Sequence, residues 1–308
     1  MILNTGSRSD IPAFYSEWFM NRIRAGFVYA RNPFYYHQVI SYKLDPKVVD
    51  VLVFCSKNPG PMLKYLDELS RFRMFWFVTI TPYGKDVEPQ VPDKKEVLAD
   101  FRRIADKLGA EHLSWRYDPI FLSEKYDLDF HLRAFKEMAE YLRGYTSQVV
   151  ISFIDLYEKT KRNFPEVKEV DIADQIRIVQ HFSRIAENNG MVLRLCHEDA
   201  ELGKYGADVT GCLSKEVLEQ AIGEKLKVKK KLDTRQGCNC LLGNDIGAYN
   251  SCGHLCRYCY ANYDAHIVRW NMARHDPHSP LLIGNIEEGD VIKESQQFSF
   301  IDEQLSLF

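Results

Sequence analysis

A chain of 308 residues can bury one sizeable core, and its 45% apolar and 27% charged residues are the proportions of an ordinary globular protein. No stretch approaches the roughly 18 apolar residues that a spanning helix needs, which excludes a helical membrane protein. The net charge of -3 gives no overall pull toward nucleic acid, although residues 225–235 (KLKVKKKLDTR) are locally basic and also read as a solvated linker.

The opening Met1-Ile2-Leu3-Asn4-Thr5 has strand character and lacks a basic segment followed by an apolar one, so a cytoplasmic protein is expected. From there, short β-rich apolar runs at 2–5, 48–54, 74–80, 113–117, 148–154 and 192–195 alternate with segments of helical periodicity. The helices are expected at 12–24, 60–71, 93–108, 128–143, 171–188 and 214–222. Pro12 suits a first turn, Asp93 and Asp127 suit N-caps, and Gly109, Gly144 and Gly190 suit helix ends. Six such units predict an α/β fold: a (β/α)6 partial barrel or TIM-like barrel over residues 1–223, followed by a cysteine-rich iron-sulfur extension over 224–308 with a peptide tail. No glycine-rich phosphate loop follows the first strand, which disfavours a dinucleotide-binding sheet.

Each predicted strand runs into polar residues at its C-terminal end, where parallel barrels build their sites. Arg8, Asp10, Lys57, Arg116, Asp118 and Glu198 are the candidate catalytic groups on that rim, with Asp155 and Tyr258 as candidate cofactor contacts. Capping and mutual pairing is the competing explanation for any one of them.

Of eight cysteines, Cys196, Cys212, Cys238, Cys240, Cys252, Cys256 and Cys259 fall in one window, while Cys55 stands apart and reads as an ordinary buried thiol. Without an export signal they are read as thiolates for metal or redox chemistry. Cys252, Cys256 and Cys259 are spaced by three and then two residues, so one loop can bind three irons of a 4Fe-4S cluster and leave the fourth open. A structural zinc site would prefer paired knuckles and four closed ligands. Cys196, Cys212, Cys238 and Cys240 supply four further thiolates. They suit a second, fully ligated cluster or a zinc site, or one of them completes the first cluster.

The segments Met1-Ile2-Leu3-Asn4-Thr5-Gly6-Ser7-Arg8, Thr79-Ile80-Thr81-Pro82-Tyr83-Gly84, Trp115-Arg116-Tyr117-Asp118-Pro119, Cys238 to Asp245 and Cys252 to Asn262 make the whole chain resemble domain-of-unknown-function family 1848. That family is described as carrying C-terminal cysteines similar to those of radical S-adenosylmethionine domains, and Cys259-Tyr260 is similar to the spore photoproduct lyases. The resemblance implies a 4Fe-4S cluster that cleaves S-adenosylmethionine to a radical, an electron donor such as a flavodoxin or ferredoxin, and a DNA repair or modification substrate. Here the cysteine loop follows all six βα units instead of the first strand, and no glycine-rich strand end for the methionine amino group is found. Gln304-Leu305-Ser306-Leu307-Phe308 resembles the pentapeptide that docks on the bacterial sliding clamp; a tail packed on its own domain is the alternative. Two other readings stand beside the enzyme: a non-catalytic iron-sulfur protein for electron transfer or redox sensing, and a zinc protein.

Overall fold

The computed structural model describes residues 1–228 and 240–302. Cys238, residues 229–235 of the basic stretch and the pentapeptide ending at Phe308 therefore lie outside the described residues. In chain order the elements are β1 (Ile2–Asn4), α1 (Ile11–Phe14), α2 (Ser16–Ala25), β2 (Phe27–Arg31), β3 (Gln38–Lys43), β4 (Val51–Ser56), α3 (Gly60–Leu63), α4 (Leu66–Leu69), β5 (Met74–Thr79) and α5 (Lys94–Leu108). There follow β6 (Leu113–Ile120), α6 (Leu128–Leu142), β7 (Gln148–Phe153), α7 (Glu158–Asn163), α8 (Ile172–Asn188), β8 (Val192–Leu195), α9 (Lys215–Ile222), α10 (Ala265–Ala273) and β9 (Val291–Glu294).

Six strands pair in parallel in the order β1-β4-β5-β6-β7-β8, and every crossover between neighbours contains a helix, as parallel pairing demands. Among the described residues no ladder joins β1 to β8; their outer edges are bridged instead at Asn4 to Asp245 and at Arg194 to Asp208. The architecture is thus a mixed α/β fold on a six-stranded parallel sheet. The predicted helix at 60–71 divides into α3 and α4, because Tyr65 (φ -105°, ψ 0°) breaks the run while Met62, Leu66 and Leu69 keep their buried spacing. A second sheet, order β2-β3-β9, lies outside the six predicted units; β9 is exposed at every position and so carries no apolar alternation to read.

Side chains alternate between the two faces of a strand. On one face Leu3, Leu52, Phe54, Trp76, Val78, Trp115, Tyr117, Val149 and Ile151 form the main core with the apolar stripes of the long helices. Those stripes are Val97, Phe101 and Ile104 of α5, Phe135, Ala139 and Leu142 of α6, and Ile178, Phe182 and Ala186 of α8. Asp93, Asp127 and Asp171 cap the three helices by accepting from backbone N–H groups at 2.7–2.8 Å. Trp115 stacks on Phe135 (centroids 4.8 Å) and Phe135 on Phe182 (3.7 Å), tying β6, α6 and α8 together. The opposite face carries Ile2, Val51, Val53, Phe75, Phe77 and Val150 against Cys212, Leu213, Leu218 and Cys240.

One buried polar pair in the main layer has a readable protonation state. His131 on α6 is fully buried, with the Tyr117 hydroxyl 2.7 Å from Nδ1 and the Phe121 carbonyl 3.0 Å from Nε2. A carbonyl only accepts, so Nε2 bears the proton and the neutral ring is satisfied when Nδ1 accepts from Tyr117. Burial pushes the His131 pKa down to about 4, against weaker support from the Phe121 carbonyl and Asp127. Because the folded pKa lies below the unfolded one, the stability is whole above the unfolded value and is lost as pH falls from about 6.5 to about 4. His131→Gln is therefore expected to be less stable than wild type at pH 7, with the gap narrowing by about 3 kcal/mol at pH 4. Denaturant titrations across this range check it, and a constant gap refutes it.

Candidate functional site

Strand alternation also decides which residues reach the sheet's C-terminal edge. Asn4, Cys55, Thr79, Arg116, Asp118 and Ser152 border a cavity of about 590 Å³ there, and the chain from Leu242 to Ala261 covers it. Of the candidates read from sequence, Arg8, Asp10, Lys57, Arg116, Asp118, Asp155, Tyr258, Cys196, Cys212, Cys240, Cys252, Cys256 and Cys259 all line this cavity. Glu198 does not: His197 takes a positive φ of 61°, and the Glu198 carboxylate turns to accept from the Phe153 N–H at 2.8 Å. Burial pushes its pKa up to about 8.

The cysteine loop is fastened to the first β-α connection through Asp10. Asp10 Oδ1 accepts from Ser56 Oγ (2.7 Å) and Ala13 N (3.0 Å), while Oδ2 accepts from Lys57 N (2.8 Å) and His254 Nε2 (2.9 Å). His254 sits between Cys252 and Cys256 and is 2% exposed. Further ties hold the loop: Tyr15 donates to the Ser251 carbonyl at 2.5 Å, Asn262 to the Cys252 carbonyl at 2.8 Å, and Arg257 N to the Val87 carbonyl at 3.0 Å. Leu255 has a positive φ of 56°, and a Cβ on Gly253 would lie 2.9 Å from Phe14, so glycine is needed for this approach. Burial pushes the Cys252, Cys256 and Cys259 thiols up.

Beside the loop lies a group that sequence reading missed. Glu88, whose side chain is fully buried, pairs with Lys57 Nζ at 2.8 Å and with Lys94, and accepts from Thr81 Oγ1 at 2.5 Å and from the Tyr258 hydroxyl. Burial opposes its charge, but Lys57 and Lys94 outweigh it and hold the Glu88 pKa down at about 2. Two ammonium groups around one carboxylate leave a surplus positive charge near the Cys256 thiol. Glu88 lies in the connection after β5, at no periodic position, and only its buried contacts reveal it. Across the cavity, Arg116 Nε pairs with Asp118 at 3.0 Å, and its Nη1 lies 3.8 Å from Cys212 Sγ. Burial works against the guanidinium, yet Asp118 and the thiols of Cys196, Cys212 and Cys55 push its pKa well up.

At the mouth, Arg8 pairs with Asp245 at 2.7 Å and lies 5.8 Å from the Tyr249 ring centre; Lys159 lies 4.8 Å from the same ring. Tyr157 and Tyr260 stand beside them with ring centres 6.0 Å apart. Among the described residues, no three His, Cys, Asp or Glu side chains are already gathered around one point to hold a metal ion. The donor chemistry nonetheless suits one: three soft thiols from a single anchored loop open into one cavity with a cation behind them.

The family described as Domain of unknown function (DUF1848) matches residues 2–261, from β1 through the third loop cysteine. No curated protein and no solved structure matches the chain.

Removing the Asp10 carboxylate strands buried donors on three segments at about 1–3 kcal/mol each. Asp10→Ala is therefore expected to lower stability by a few kcal/mol and to raise the alkylation rate of Cys252, Cys256 and Cys259 in the folded metal-free protein. Peptide-resolved mass spectrometry after timed alkylation measures this; unchanged rates would show that Asp10 does not hold the loop.

Proposed function

The chain belongs to the DUF1848 family, and on that footing we propose that it is a radical S-adenosylmethionine enzyme. Cys252, Cys256 and Cys259 would hold a 4Fe-4S cluster at the mouth of a (β/α)6 partial barrel. The observation that carries the reading is the opening of all three loop thiols into the cavity at the strand ends, alongside Lys57, Arg116 and Asp118. When bound, such a cluster supplies the electron that cleaves S-adenosylmethionine.

The chain's own groups then have separable tasks. Asp10 and His254 hold the loop in place, and Lys57, fixed by Glu88, balances thiolate charge. Asp155 and Tyr258 border the space left for the cofactor, with the Tyr258 hydroxyl committed to Glu88. Arg8, Arg116 and Asp118 orient polar parts of the substrate. Tyr157, Tyr249 and Tyr260 at the rim, with Lys159 and Arg8 against the Tyr249 ring, suit a flat ring on an anionic backbone, which supports a base of DNA as the substrate.

Anaerobically reconstituted protein given dithionite and S-adenosylmethionine is expected to release 5'-deoxyadenosine. C252A, C256A and C259A should each lower that yield at least 100-fold. A fully loaded protein that releases none, with or without DNA, refutes the proposal. The same reading makes Gln304-Leu305-Ser306-Leu307-Phe308 a tether to the sliding clamp. A chain ending at Glu303 should then lose binding to purified clamp, and equal binding by both chains sinks the tether.

A further inference from the structure

Cys196, Cys212 and Cys240 take no part in the roles above, yet their sulfurs converge. Cys212 Sγ lies 3.8 Å from Cys196 Sγ and 3.0 Å from Cys240 Sγ, and the Leu213 N–H points at Cys240 Sγ at 3.4 Å. The three come from separate parts of the chain: the residue after β8, the segment before α9, and the segment that leads toward the cysteine loop. Cys212 and Cys240 belong to the apolar layer on the face of the sheet opposite the long helices, while all three border the cavity. Arg116 brings a half-buried guanidinium to this point, with Nη1 3.8 Å from Cys212 Sγ.

Three arrangements of such thiols can be told apart by distance. A disulfide needs an S–S separation of about 2.05 Å and would leave Cys196 without a use. A cuboidal cluster binds each thiolate at a different corner iron and spreads the sulfurs widely. Two thiolates on one tetrahedral ion, with metal–sulfur bonds of about 2.3 Å, stand about 3.8 Å apart. The Cys196–Cys212 pair already has that separation at 3.8 Å, and the Cys212–Cys240 pair at 3.0 Å is tighter. It must open by about 0.8 Å, within reach of a small side-chain rotation, to share an ion. That tightness is consistent with the absence of a ready-made site among the described residues.

We infer that Cys196, Cys212 and Cys240 hold a second metal centre, a single thiophilic ion of the zinc or ferrous type, distinct from the cysteine loop. Binding replaces three thiol protons, released to solvent, with three metal–sulfur bonds and involves no change of oxidation state. The Arg116 guanidinium offsets the charge that three thiolates bring to a buried place.

The test uses the full chain with the loop disabled as C252A/C256A/C259A, so that any metal retained belongs elsewhere. Elemental analysis should find about one equivalent of zinc or iron without inorganic sulfide. Adding C212S or C240S should lower it at least tenfold, and adding C196S, at the least buried of the three, should do the same with far-UV circular dichroism unchanged. Cobalt supplied to the chelator-treated loop variant, with the three thiols intact, should give thiolate-to-cobalt charge-transfer absorption. The inference is overturned by metal that survives C196S and C212S, by sulfide accompanying the metal, or by a metal-free chain two hydrogens lighter with Cys212 and Cys240 joined. Since the loop cysteines are absent from every arm, failure here leaves the radical reading standing, and the reverse also holds.

Discussion

One buried carboxylate organises the site. Asp10 meets four donors from its own helix, from the end of β4 and from the cysteine loop, and the last partner lies 244 residues away. A carboxylate of this kind is costly to bury and gains its place only when every lone pair is used. β1 and β4 are joined by their ladder, and Asp10 ties the loop to both of their C-terminal ends, so the cavity exists where those three meet.

The charges follow the same logic. On one side of the cavity Lys57, Lys94 and Glu88 leave a net positive charge near Cys256; on the other, Arg116 shares its charge between Asp118 and the thiols of Cys196 and Cys212. Thiols at low dielectric resist ionisation unless a cation is close. Lys57 serves Cys256 and Arg116 serves Cys196 and Cys212, each supplied from a strand or its C-terminal end rather than from the cysteine segments themselves.

Much of this was legible in the residues. The six parallel strands show as short apolar runs, and Asp93 and Asp127 mark helix starts because a side-chain oxygen satisfies an otherwise orphaned N–H. The three-and-two cysteine spacing singles out the loop that later proves to open into the cavity. What escaped has physical reasons. Strand β9 pairs with β3 through its backbone alone, and its exposed side chains leave no pattern. Glu88 and His254 act through long-range contacts that no local period encodes. Glu198 follows a strand as a rim residue should, but the left-handed turn at His197 sends it to the Phe153 N–H.

The distance in sequence between Asp10 and His254 also bears on the order of assembly. A chain emerging from the ribosome can form β1 and the helices of the early crossovers while residue 254 is still far from synthesis, and until then the Asp10 carboxylate lacks its partner on the loop. Contacts of such separation form late, because closure of a long loop must precede any gain from them. The cysteine loop can thus reach its final anchorage only on a sheet that is already built, and the proposed cluster would be taken up at the last stage of folding.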